Sequence, residues 1–175
     1  MNLSEQEIIA LRKGLTDEIL AQVKEPYRST LQDIIARSKD TTVAELFVDG
    51  AADLHSKRAG IGGVLYRNGE EILSFSRYLP DVTNNVAEYE ALLQGLKSAL
   101  ELGINSINIR SDSELVVKQI KGEYRVKHPN MKKLYEKVTA LLRQFSSWRI
   151  DHVPREQNKV ADKLSKEGMR SQSGC

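Results

Sequence analysis

The chain has 175 residues, enough to bury the core of one ordinary domain with an appendage. Its 26 Lys and Arg against 24 Asp and Glu leave a formal charge of +2, which excludes a uniformly basic nucleic-acid binder and requires any electrostatic footprint to be local. The single cysteine, Cys175, excludes an intramolecular disulfide and a cysteine-based zinc site; with no apolar run near the ~18 residues of a membrane span and no signal-peptide pattern at Met1-Asn2-Leu3-Ser4-Glu5, a cytoplasmic protein with no membrane partner is expected.

Residues 1 to about 40 follow a helical period without strand signals. Ser4 and Glu7 form a capping box, Ile8, Leu11 and Leu15 share a face, and Gly14 ends the first helix. A second helix is expected from Asp17 to Lys24, interrupted by Glu25-Pro26, and a third from Tyr27 to Ser38 with Leu31, Ile34 and Ile35 on one side. Their acids and bases nearly cancel, so their apolar positions need burial by self-association, by the rest of the chain or by substrate contact. Ser38 to Thr42 reads as a linker. The expected boundaries are a helical extension over 1–40 and a second domain over 41–175.

From Val43 the pattern turns to strands: Val43 to Val48, Ile61 to Arg67 and Glu71 to Tyr78, the last two joined by Asn68-Gly69, a dipeptide that tolerates the positive φ of a tight hairpin. Asn85 to Leu102 has apolar residues at helical spacing and is closed by Gly103. Ser106 to Arg110 is a strand, Ser113 to Ile120 and Pro129 to Gln144 are helices, Ser147 to Val153 is a strand and Lys159 to Met169 a final helix. The order βββαβααβα implies an α/β fold with a mixed five-stranded sheet and helices on both faces.

Four acids stand where strands or helices begin or end: Asp49 in LFVDGAAD, Glu88 in TNNVAEYEALLQGL, Asp112 in INIRSDSELVVKQI and Asp162 in HVPREQNKVADKLSKEG. Carboxylates beside apolar runs lose hydration unless a cation gathers them, and a pair of Mg²⁺ ions suits hard oxygen ligands. Taken singly, the three aspartates read equally well as caps or turn formers, and Glu88 as half of a surface salt bridge. His152 reads as a catalytic imidazole or as a hydrogen-bonded strand end. The basic stretch with Lys118, Lys121, Arg125, Lys127, Lys132, Lys133 and Lys137 reads either as a solvated face or as a track for phosphates.

The order of elements with these four acids in it resembles the ribonuclease H family, type 1, over roughly residues 43 to 170. The resemblance implies a ribonuclease H-like fold and an endonuclease that cuts the RNA strand of RNA:DNA hybrids with two Mg²⁺ or Mn²⁺ ions. It places Asp49, Glu88, Asp112 and Asp162 as metal ligands and His152, ten positions before Asp162, as a mobile proton-relaying histidine. Asn84, Asn85 and Asn158 become substrate contacts, the first two reading base edges or the 2′-hydroxyls that distinguish RNA from DNA. Lys57, Arg58, Lys118 and Lys121 become phosphate contacts. The segment Ala51 to Gly60 departs from the family's glycine- and proline-rich substrate loop, with His55 where an asparagine is usual, and Glu114 stands where some members carry glutamine. These departures keep open a binding module of the same fold with weak or no turnover; the fold also admits a hydrolase using the metal pair on a small phosphate ester.

Overall fold

The computed structural model describes residues 21–24, 27–31 and 43–171. The chain divides into two compact units, Met1–Thr41 and Thr42–Cys175. In the first, residues 21–22 and 27–31 are helical, and the Arg28 side chain donates to the carbonyls of Val23 (3.1 Å) and Ala21 (2.7 Å), linking the two helical stretches. The capping box, the first helix and most of the third lie outside the described residues.

The second unit runs β1 (Ala44–Asp53), β2 (Arg58–Arg67), β3 (Glu70–Pro80), α1 (Asn84–Glu101), β4 (Ser106–Ser111), α2 (Glu114–Ile120), α3 (Pro129–Leu142), β5 (Ser147–His152), a 3₁₀ turn (Arg155–Gln157) and α4 (Lys159–Arg170). The sheet order is β3-β2-β1-β4-β5, antiparallel from β1 through β3 and parallel from β1 through β5. This is the mixed five-stranded sheet that the order of elements implied.

Side-chain alternation on β1 divides the two faces. Ala44, Leu46 and Val48 are fully buried toward α1, whose Leu92, Leu96 and Ala99 complete the main core. α3 buries Met131, Leu134, Val138 and Leu142 at helical spacing and packs on α1. The opposite face carries Asp49, paired with Gly62 on β2, and is covered by α4. A β-carbon at Gly62 would fall inside the α4 backbone at Ala161 to Ser165, so glycine is what lets this helix lie directly on the strand. β2 is consequently buried on both faces from Ala59 to Leu65, which explains its nearly continuous apolar run.

Asn68 and Gly69 take the positive φ expected of the hairpin, 54° and 79°. The segment Ala51 to Gly60 differs from the expected loop: β1 continues to Asp53 and pairs with β2 as far as Asp53 opposite Arg58. The turn is closed by the Asp53 carboxylate, which accepts from the His55 backbone N–H (2.9 Å) and the Ser56 hydroxyl (2.8 Å). A polar turn residue thus does locally what glycine and proline do elsewhere. Among the described residues, no helix is long and apolar enough to cross a membrane.

Candidate active site

β1 and β4 are adjacent and parallel, and their carboxyl ends open at the same edge, the usual place for a site in such a sheet. Asp49 directly follows Val48, the last β1 residue paired with β4, and Asp112 directly follows β4. Glu88 comes from the first turns of α1, which Thr83 caps by accepting from the Val86 N–H. Gly50 explains how helix and strand meet: a β-carbon there would overlap the backbone of Ala87 and Glu88. Oxygens of Asp49, Glu88 and Asp112 lie within 4.8 Å of one another.

Two of these acids are 5–6% exposed, and crowding shows in their protonation. Burial, then the negative charges of Asp49 and Asp112, push Glu88 up to about 9. Asp49 rises to about 6, again chiefly by burial, while a hydrogen bond from Ser165 opposes the rise and Asp112 and Asp162 add to it. Glu88 Oε2 is buried without a hydrogen-bond partner. Three hard carboxylates, one with an orphaned oxygen, fit a divalent cation: they lack the positive charge that would let all three ionise.

Asp162 stands apart from the triad. The Arg155 guanidinium binds its Oδ1, through Nε at 3.0 Å and through Nη2, and Lys166 Nζ binds Oδ2 at 2.6 Å. Burial pushes this carboxyl up, but Lys166 and Arg155 more than offset it, so it titrates below the ordinary aspartate range. His152 Nε2 lies 3.2 Å from the Asp112 carbonyl oxygen. A carbonyl only accepts, so this nitrogen carries the proton in that bond.

Asn158 is 1% exposed, and its amide donates to the Val48 carbonyl (2.9 Å) and to Asp112 Oδ1 (2.8 Å). It therefore holds the Asp112 carboxylate and ties it to β1. Asn84 Oδ1 accepts from the Ala52 N–H at 3.2 Å, tying the start of α1 to β1, while Asn85 is exposed beside it. Lys57 pairs with Asp81 at 3.8 Å, and Arg58 is exposed at the start of β2. Lys118 and Lys121, expected on phosphates, are engaged within the protein: Lys118 binds Glu114 (2.6 Å) and stands over the Tyr124 ring (4.8 Å), and Lys121 pairs with Asp151 (3.6 Å). The Glu114 charge is thus balanced locally. Arg125, Lys127, Lys132 and Lys133 are exposed and form no ion pair with the described residues.

Arg155, Ser165 and Lys166 did not stand out in the sequence. For the two helical residues the signal was their spacing to Asp162, since positions three and four residues along a helix share its face. Arg155 reaches Asp162 from the 3₁₀ turn and required the fold.

Fold and site together define the class, a ribonuclease H-like α/β domain with an acidic centre at the ends of its two central parallel strands. Residues 47–168 match the family described as Reverse transcriptase-like. The bifunctional protein Rv2228c of Mycobacterium tuberculosis is 38% identical over 123 residues, 69% of this chain and 34% of that one. Ribonuclease HI of Halobacterium salinarum is 35% identical over 124 residues, 70% of this chain and 62% of that one. The chain therefore spans about a third of the mycobacterial relative and less than two thirds of the halobacterial one. Among solved structures, the N-terminal RNase H domain of Rv2228c superposes with a TM-score of 0.73 at 34% identity, covering 77% of this chain and all of that domain. LC11-RNase H1 in complex with an RNA/DNA hybrid gives 0.69 at 32% identity, covering 75% and 99%. The chain belongs to the ribonuclease H family, type 1.

Proposed function

We propose that this protein is a metal-dependent endoribonuclease that hydrolyses the RNA strand of RNA:DNA hybrids, leaving 5′-phosphate ends. The observation that carries the reading is the set of Asp49, Glu88 and Asp112, gathered within 4.8 Å where the parallel pairing of β1 with β4 ends and with Glu88 Oε2 unpartnered. The hybrid bound by the related LC11-RNase H1 supports the choice of substrate. These acids would hold Mg²⁺ or Mn²⁺, which would supply charge stabilisation at the scissile phosphate and a more acidic attacking water.

Asp49, Glu88 and Asp112 hold the cation through hard oxygens, and Asn158 keeps Asp112 turned toward it. Asp162, an ionised carboxylate paired with Arg155 and Lys166, would complete the site for a second ion by exchanging these partners for it. His152 moves a proton at Nε2, the atom that rests on the Asp112 carbonyl. Asn85 and the exposed cations from Arg125 to Lys133 meet the duplex, the lysines and arginine through phosphates. Residues 41–175 carry this activity, and residues 1–40 add substrate contact or self-association; the mass in solution of the chain with and without them separates the two.

Cleavage of labelled RNA:DNA, RNA:RNA and DNA:DNA duplexes with and without Mg²⁺ or Mn²⁺ tests the reading. RNA-strand cutting confined to the hybrid, dependent on metal and abolished by Asp49→Asn and by Asp112→Asn at unchanged circular dichroism, is expected. Activity surviving either substitution, or persisting in EDTA, would refute it.

A further inference from the structure

Ser165 lies on α4 one turn beyond Asp162 and has no exposed surface. At a fully buried helical position alanine is the better helix former and loses no hydration on burial, so the hydroxyl needs a reason outside the helix. It reaches two acceptors, Asp49 Oδ2 and the Asp162 main-chain oxygen at 2.9 Å. One hydroxyl has one proton to give. The bond to a carbonyl three residues back is the ordinary local contact of a helical serine, whereas a bond to a carboxylate is about twice as strong as one to a neutral oxygen. The proton therefore goes to Asp49 when that group is ionised.

Asp49 has cause to need it. The torsion that turns an aspartate carboxylate is broad and roughly two-fold, so the side chain does not fix its own oxygens. The neighbours Glu88 and Asp112 are both acids, and an ionised carboxylate has no proton to donate that would fix it. Ser165 can reach Asp49 because α4 lies directly on Gly62, the β2 residue opposite Asp49.

We propose that Ser165 is a positioning residue for the acidic centre: by donating to Asp49 Oδ2 it fixes the rotation of that carboxylate and leaves the other oxygen to the cation. This rests on the reading of the triad as a metal site. Residues that orient metal ligands in this way typically contribute about ten- to a hundredfold in affinity. Ser165 touches neither substrate nor metal in this role.

The test uses the full chain as wild type, Ser165→Ala and Ser165→Cys, the slightly larger thiol filling the space of the hydroxyl while donating poorly. Mn²⁺ binding is followed by the loss of the free-ion electron paramagnetic resonance signal, melting is measured in EDTA, and hybrid cleavage is measured against Mn²⁺ concentration. Both variants are expected to melt within a few degrees of wild type and to bind Mn²⁺ about tenfold more weakly. Their cleavage curves should move to higher Mn²⁺ by the same factor, with the plateau within about threefold of wild type. A folded variant that binds Mn²⁺ like wild type overturns the role of Ser165 while leaving the metal site intact. Wild-type protein that binds no Mn²⁺ overturns the metal reading and this one with it. If both variants fail to fold, Ser165 is a packing residue and the assignment falls.

Discussion

Glu88→Gln is expected to stabilise the metal-free protein while destroying its metal site. In the fold Glu88 titrates at about 9, against 4.5 for the ordinary carboxyl. A group whose folded pKa is raised holds its proton longer in the native state, so its contribution is fully present below 4.5 and is lost as pH rises toward 9. At pH 7.5 the unfolded chain has ionised and the folded one has not; at ~1.4 kcal/mol per pH unit, the penalty is about 4 kcal/mol. Glutamine is neutral in both states and escapes it. Its NH₂ group has Asp49 and Asp112 as acceptors. For a unit of this size ~1 kcal/mol moves Tm by about 3 °C, so the variant should melt about 10 °C higher than wild type at pH 7.5 in EDTA. The two should converge near pH 5, where the unfolded carboxyl is itself partly protonated. Melting followed by circular dichroism from pH 5 to 9 measures the difference, and added Mn²⁺ should raise the wild type alone. Equal pH slopes for the two proteins between pH 6 and 9, or a less stable variant at pH 7.5, would refute the argument from burial.

Asn158→Ala removes two hydrogen bonds of a buried amide, one to a carboxylate, and should cost about 3 kcal/mol in urea unfolding. A loss below ~1 kcal/mol would mean that water replaces the amide at Val48 and Asp112. Neutralising Arg125, Lys127, Lys132 and Lys133 together should weaken hybrid binding and reduce its log–log salt slope by up to about 4, since every phosphate left without its cation keeps roughly one counterion that binding would have released. An unchanged slope would place these cations away from the duplex.

Much of the architecture was legible along the chain because its signals are local. The hairpin at Asn68-Gly69 depends on two φ angles, and the end of α1 at Gly103 on one, whatever the rest of the molecule does. The apolar spacing of α3 and the alternation of β1 likewise state which face each element buries. Asp49, Glu88 and Asp112 were visible for a related reason, since ionisable residues beside buried apolar runs need a partner that the neighbouring sequence does not provide.

What stayed hidden depends on where side chains arrive after the chain has folded back. Asn158 read as a surface contact until the packing of α4 placed its amide between Val48 and Asp112, residues 110 and 46 positions away. Lys118 and Lys121 are chemically suited to phosphate, yet Glu114, Tyr124 and Asp151 lie within reach, and proximity decided. Asp162 carries the same group as the triad acids but is held by Arg155 and Lys166. Propensity and periodicity act over a few residues, so the sequence by itself determined the elements and the acids they carry. Coulomb and hydrogen-bond energies depend on separations of a few ångströms, and only the tertiary structure decided which partner each group meets.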